Sequence, residues 1–316
     1  MPQTARIWSP GRGQIAPLVP SAPRFLGGIG GRPVLDDVDT LRAEVLRTGS
    51  WLFPSLLKEA SEHRAPLRDF AIFSNWVMVK ADRWEFAPNF REGNLYLEEA
   101  DDGEDLSSWL GWPAVEVARR MLASANPTHR SLGLACLKAV LPVPDRAEEG
   151  DSFERIEPLA ANFKTLVVGS FPNARCWRDR GWPIAMAEPS ITGELDWESM
   201  PAAGSAELVL VNGSVLLGGG LREMIRATPR AKARILIGPS VPPSQALFRM
   251  GIHGLGFSVA DDPGGLSEYF RRGSLGLKNA PQGAVKRFHM WCRPDFVQET
   301  MGRRSTPNEG HAGRRA

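Results

Sequence analysis

The stretch Thr165-Leu166-Val167-Val168-Gly169-Ser170-Phe171-Pro172 decides how the second half of this 316-residue chain is read. A β-branched and apolar run enters a glycine turn, and a proline follows where a helix can begin. An apolar run without polar alternation suits a strand buried on both faces. The rhythm recurs at Ile184-Ala185-Met186-Ala187, Glu207-Leu208-Val209-Leu210-Val211, Arg234-Ile235-Leu236-Ile237 and Gly254-Leu255-Gly256-Phe257-Ser258-Val259. Helical spacing lies between several of these runs, over Leu221 to Ala227, Ser244 to Met250 and Leu266 to Arg271. Buried strands alternating with helices predict an α/β fold, a Rossmann-like doubly wound parallel sheet over residues 161–285.

Upstream the pattern differs. Phe70-Ala71-Ile72-Phe73, Trp76-Val77-Met78-Val79, Arg83-Trp84-Glu85-Phe86 and Asn94-Leu95-Tyr96-Leu97 are short runs between polar breaks, as in an antiparallel meander. Two helices follow, one with Pro113 in its first turn and one from Leu132 to Leu141 capped by Ser131. An earlier helix is expected from Asp37 or Asp39 through Val38, Leu41, Val45 and Leu46. These elements define a small α+β domain over 37–145. The Pro-, Glu- and Asp-rich stretch that follows reads as a linker over 146–160. Residues 1–36 read as a disordered basic tail, and 286–316 as a C-terminal extension disordered toward its end. The Gly-rich stretch 26–32 lacks a preceding strand and a Gly-Lys-Ser/Thr ending, so it reads as a flexible linker.

The composition, 42% hydrophobic and 23% charged, excludes a wholly disordered or collagen-like chain. The formal charge of +2 conceals a split. Four arginines and no acid lie in residues 1–34, and residues 302–316 carry +3, leaving −5 for 35–301. Nucleic-acid contact would rest on the tails alone and is disfavoured. Three cysteines, an odd and widely spaced count, suit a reducing compartment. Apolar runs too short to span a bilayer and the absence of a signal pattern make a cytoplasmic protein without membrane contact the expectation.

Ligands of open α/β sheets bind beyond the carboxyl ends of the strands. Three such ends combine turn formers with hydroxyls: Gly169-Ser170-Phe171-Pro172, Asn212-Gly213-Ser214 and Gly238-Pro239-Ser240. A fourth feature, Gly218-Gly219-Gly220 ahead of Leu221, offers amides that suit an anion nest, the helix beginning after the glycines. A dinucleotide is disfavoured, because Gly-Ser-Phe-Pro replaces the glycine fingerprint. Glu188 nevertheless stands where a ribose-binding acid would stand.

Several blocks resemble the putative heavy-metal chelation family. They are Leu210-Val211-Asn212-Gly213-Ser214-Val215-Leu216-Leu217-Gly218-Gly219-Gly220-Leu221, Ile237-Gly238-Pro239-Ser240-Val241-Pro242-Pro243-Ser244-Gln245-Ala246-Leu247-Phe248, Ser131-Leu132-Gly133-Leu134-Ala135-Cys136-Leu137-Lys138-Ala139 and Val167-Val168-Gly169-Ser170-Phe171-Pro172. The resemblance implies an enolase-N-terminal-like domain joined to a Rossmann-like domain, with a site in the cleft between them. It also implies a role with metals or metal-chelating small molecules. Asn212, Val215, Gly218 and Gly220 depart from the family's Thr and Asn positions, and Lys138 replaces an Asn. Two readings follow: a changed ligand, anionic or carboxylate-bearing, or a vestigial site. In the first, Lys138 supplies charge, Ser170, Ser214 and Ser240 supply hydroxyls, and Arg175 and Glu188 line the rim.

Metal ligands are sparse. His289 and Cys292 form a lone H-x-x-C pair, where structural zinc needs four ligands. Cys176 lies beside Arg175, His253 opens a strand, and the acidic run from Glu98 to Asp105 lacks EF-hand spacing. No nucleophile elbow, zinc-protease helix or Walker loop occurs, so no catalytic residue is assigned. The expected ligand is a small polar molecule, a metal chelator or its precursor, with an enzymatic role in biosynthesis or handling of that chelator, a metal ion as cofactor and an oligomer all left open. The alternatives are a nucleotide-dependent transferase or oxidoreductase, and a non-catalytic partner protein.

Overall fold

A computed structural model describes residues 52–89, 105–124, 126–169, 171–187, 200–218 and 220–302. The expected helix from Asp37, the Gly-rich stretch 26–32, the run Asn94–Leu97 and both basic tails lie outside the described residues.

Helix α1 (52–60) precedes strands β1 (Asp69–Ile72), β2 (Trp76–Lys80) and β3 (Trp84–Pro88), which pair antiparallel in sequence order. Alternation along β2 gives the small sheet two apolar sides: Val77 and Val79 join one cluster, Trp76 and Met78 another. Helices α2 (Ala114–Leu122) and α3 (Pro127–Val140) cover the first side. α3 begins earlier than a cap at Ser131 would allow. The Asn126 side chain accepts from the amides of Thr128 and His129, at 2.9 and 3.4 Å, with Pro127 in the first turn. Ser131 lies buried inside the helix, and Pro113 is the residue before α2.

The large sheet has seven strands. β5 (Thr165–Val168), β6 (Ile184–Ala187), β7 (Leu208–Asn212), β8 (Ala233–Ile237) and β9 (Gly254–Ala260) are parallel, in the spatial order β6-β5-β7-β8-β9. β10 (Val285–Trp291) and the short β4 (Glu148–Glu149) extend it antiparallel beyond β9. Each of the five expected strands is present to within one residue at either end. Leu166, Val168, Val209 and Val211 face one side of the sheet. Val167, Leu208 and Leu210 face the other, against α4 (Ser152–Asn162), α5 (Pro172–Asp179) and α11 (Phe296–Gly302).

Two stretches differ from their sequence reading. The expected linker 146–160 contains β4 and most of α4, whose start is fixed by the Asp151 carboxylate accepting from the Phe153 amide at 2.9 Å. The C-terminal extension contains β10, the partner of β9, followed by α11.

The two sheets share apolar clusters. One apolar cluster runs from Leu52, Val77 and Leu137 to Val211, Leu236 and Phe257 of the large sheet. A second joins the other side of the small sheet to α10 (Pro263–Arg271), where Trp76 stacks on Phe270 at 4.6 Å and 10°. Among the described residues no helix is long and apolar enough to cross a membrane.

Candidate functional site at the sheet edge

In chain order the five parallel strands are arranged 2-1-3-4-5, so the connections leaving β5 and β7 turn to opposite faces of the sheet. The gap between these two carboxyl ends is the topological switch point, where doubly wound sheets hold their ligands. The sequence brings three turns close together here. A Cβ on Gly169, after β5, would lie 2.8 Å from the Asn212 Cβ after β7. A Cβ on Gly213 would lie 2.6 Å from Val241 Cγ2 and 2.9 Å from Ser240 Oγ, beyond β8. Larger residues at Gly169 or Gly213 would force the turns apart, and Gly169 and Gly238 also adopt positive φ, 95° and 142°.

Most polar groups of these turns are paired. Gly169 N–H donates to Ala187 O, Gly213 N–H to Ile237 O and Gly238 N–H to Gly256 O, each at 2.9 Å. Asn212 Oδ1 accepts from the Ser214 amide at 3.0 Å, closing its own turn. Among the described buried side chains of these turns, Ser240 is unpaired. It has zero exposure, and its Oγ has no hydrogen-bond partner among the described residues. A buried hydroxyl left unpaired costs about 1–3 kcal/mol, which makes it a ligand-facing candidate in this position. Asn212, Ser214, Gly238 and Pro239 are half-exposed around it.

Lys138 occupies a different place from the one its sequence context suggested. It projects from α3 with zero exposure, and its Nζ donates to Phe86 O at 2.8 Å, Pro239 O at 2.7 Å and Ser258 O at 3.1 Å. Glu85 Oε2 lies 3.1 Å away, and the Phe86 ring centroid 4.6 Å away. Burial holds the Lys138 pKa below its ordinary value, opposed only in part by the Glu85 carboxylate. The three N–H donors go to three carbonyls, and Glu85 Oε2 faces the nitrogen as an ion-pair partner without a hydrogen bond of its own, so Lys138 joins the two sheets. Arg83 extends the group, donating to Glu85 Oε1 at 2.8 Å and to the Lys138 carbonyl at 2.7 Å.

The other candidates scatter. Phe171 turns inward, its ring 5.5 Å from that of Phe153, and Arg175 is exposed on α5. Gly218 ends the short helix α7 (Val215–Gly218), and Gly220 takes a left-handed φ of 86° before α8 (Leu221–Ala227). Ser170, Glu188 and Gly219 lie outside the described residues. The features that residue types alone did not reveal are the partners of Lys138 and the role of Glu59 in α1. Glu59 accepts from Ser244 Oγ at 2.9 Å and from the amides of Gln245 and Ala246 at 3.0 and 2.9 Å. A lone Glu at the end of an amphipathic helix carries no signal of such a contact.

Among the described residues no three His, Cys, Asp or Glu side chains are grouped to hold a metal ion. Cys136 is buried in α3 and Cys176 exposed on α5. Cys292 follows β10, where burial raises its thiol pKa and Arg293 lowers it. His289 is tied to Glu148 at 3.2 Å. His253 Nδ1 accepts from the Arg234 amide at 3.1 Å, and its ring stacks on Phe296. Of the acidic run, Asp105 caps a 3-10 turn by accepting from the Ser107 amide at 3.0 Å, and residues 98–104 lie outside the described residues. The described side chains therefore do not fit a resident metal centre.

The fold and its edge define a doubly wound α/β protein whose carboxyl-edge loop is held by a second, smaller sheet-and-helix unit. Two family profiles match the chain, over residues 55–141 and 151–288, both described as putative heavy-metal chelation. The chain belongs to this family. It is similar to a solved DUF364-family protein of unknown function from Desulfitobacterium hafniense DCB-2, with 16% identity and a TM-score of 0.59, covering 74% of this chain and 97% of that one. A second such structure, from Pyrococcus horikoshii, is 13% identical with a TM-score of 0.55, covering 80% of this chain and 99% of that one. At these identities the likeness is one of fold. No curated protein matches the chain.

Proposed function

We propose that this protein binds a small polar ligand at the carboxyl edge of its parallel sheet, between the ends of β5, β7 and β8. The ligand class is a metal chelator or its precursor, with any metal arriving inside the chelate. The observation that carries this reading is the Ser240 hydroxyl, fully buried and unpartnered among the described residues, beside the switch point. The family description supports the chelator class. The lack of a metal-holding cluster among the described side chains supports a ligand that brings its own donor atoms. A nucleotide is disfavoured: Pro172 offers no amide at the first turn of α5, and Phe171 is packed inward.

The test is a thermal-shift series on the full chain with Zn²⁺, Ni²⁺ and Cu²⁺ alone, with citrate and histidine alone, and with the preformed complexes. A chelator or its complex is expected to raise Tm by about 3–8 °C at a hundredfold excess over Kd. Bare metal is expected to give no shift. Ser240→Ala should lose the ligand shift while the unliganded Tm holds or rises, because it removes an unpaired buried hydroxyl. A shift that survives in Ser240→Ala would refute the assignment of this hydroxyl.

A further inference from the structure

The loop from Gly238 to Ala246 is poorly equipped to hold itself. Pro239, Pro242 and Pro243 have no N–H, and its internal backbone bonds are Val241 N–H to Gly238 O at 3.1 Å and Ser244 N–H to Pro242 O at 2.8 Å. It is nevertheless buried from Ser240 to Ser244. Two charges from the N-terminal unit meet its two ends. At the start, the Lys138 ammonium takes the carbonyl of Pro239, the residue before Ser240, at 2.7 Å. The same nitrogen holds Phe86 O on β3 and Ser258 O on β9, so the loop is referenced to both sheets at once. At the end, the Glu59 carboxylate takes the Ser244 hydroxyl and the amides of Gln245 and Ala246, all within 3.0 Å. The pairing is chemically matched: a cation on a carbonyl, an anion on two amides, one of which, Ala246 N–H, also reaches Ser244 Oγ at 3.1 Å.

Resting on the reading of the sheet edge as a ligand site, we propose that Glu59 and Lys138 are positioning residues of that site, fixing loop 238–246 so that the Ser240 hydroxyl is presented to the ligand. The N-terminal unit then governs affinity without touching the ligand.

Hydrogen exchange of the full chain separates this proposal from the one beneath it. Glu59→Ala should speed exchange in a peptide covering 240–247 about tenfold, while peptides covering β5 and β7 keep their protection. In the same variant, the thermal shift produced by citrate or its Zn²⁺ complex should fall at least to half. Glu59→Gln, which keeps an acceptor oxygen but removes the charge, should give a smaller change in the same direction and serves if Glu59→Ala does not fold. Wild-type exchange rates in 240–247 would overturn the proposal, as would a loosened loop with an undiminished ligand shift. If no probe shifts the wild-type protein, the sheet-edge reading falls with its own experiment, and the proposed positioning role falls with it.

Discussion

An ammonium taken out of water costs several kcal/mol unless its donors are matched, and Lys138 meets three carbonyls and a carboxylate. The pair partner is equally buried, since Glu85 also has zero exposure. Lys138→Met should therefore destabilise by about 3 kcal/mol, at the low end for a broken buried pair because Arg83 still reaches Glu85. Lys138→Met combined with Glu85→Gln should recover much of that loss in urea unfolding, and equal midpoints for single and double variants would contradict the pairing. His253 gives a second prediction at this scale. Burial, and next the charges of Arg234 and Arg293, lower its pKa from 6.5 to about 4. The unfolded chain then binds more protons between these values, so stability is full above pH 6.5 and falls as the pH drops toward 4. Unfolding midpoints measured across that window in wild type and His253→Gln should converge at the acid end. Little of this residue-level detail was legible in sequence. Asn212-Gly213-Ser214 and Gly238-Pro239-Ser240 announce turns because their residue types dictate backbone shape. The carbonyls that hold Lys138 belong to Phe86, Pro239 and Ser258, and a carbonyl leaves no mark in an amino-acid code.

The elements were more legible wherever burial on both faces left an uninterrupted apolar run. That is why β5 through β9 can be read directly from the chain. β10 escapes because Lys286, Arg287 and His289 interrupt its apolar residues, as suits a strand between β9 and the two-residue β4. α4 escapes because Pro158 lies inside it, within a stretch otherwise rich in acids. The packing of α2 on α3 depends on one glycine. A Cβ on Gly133 would stand 2.9 Å from the Leu122 backbone nitrogen and 3.0 Å from the Met121 Cβ. Gly133→Ala should cost about 1–2 kcal/mol net, overpacking outweighing the gain in helix propensity. Gly204→Ala in α6 (Pro201–Ser205), with open space around the new methyl, should be neutral or slightly stabilising. Chemical denaturation of both variants makes the comparison.

At the scale of the molecule, the two sheets share both of the clusters that cover the small one. Val77 and Leu137 belong to one cluster with Val211 and Phe257, and Trp76 and Phe86 to another with Leu266 and Phe270. Periodicity reports which residues are buried and says nothing of which neighbour buries them, so the shared clusters were not legible in the chain. Residues 142–302 expressed alone should accordingly bind a hydrophobic dye and lack a cooperative thermal transition, and co-expression with residues 1–141 should restore one. A sharp transition in the isolated C-terminal piece would contradict the shared core.

The cover of Trp76 has a further consequence, in time. Its indole nitrogen donates to the carbonyl of Ser274, 198 residues later in the chain, beside the α10 ring that stacks on it. At ribosomal speeds of about 5–20 residues per second, that separation is a wait of roughly 10–40 s. For that interval the nascent small sheet shows its aromatic side to the cell before the residues that will cover it exist.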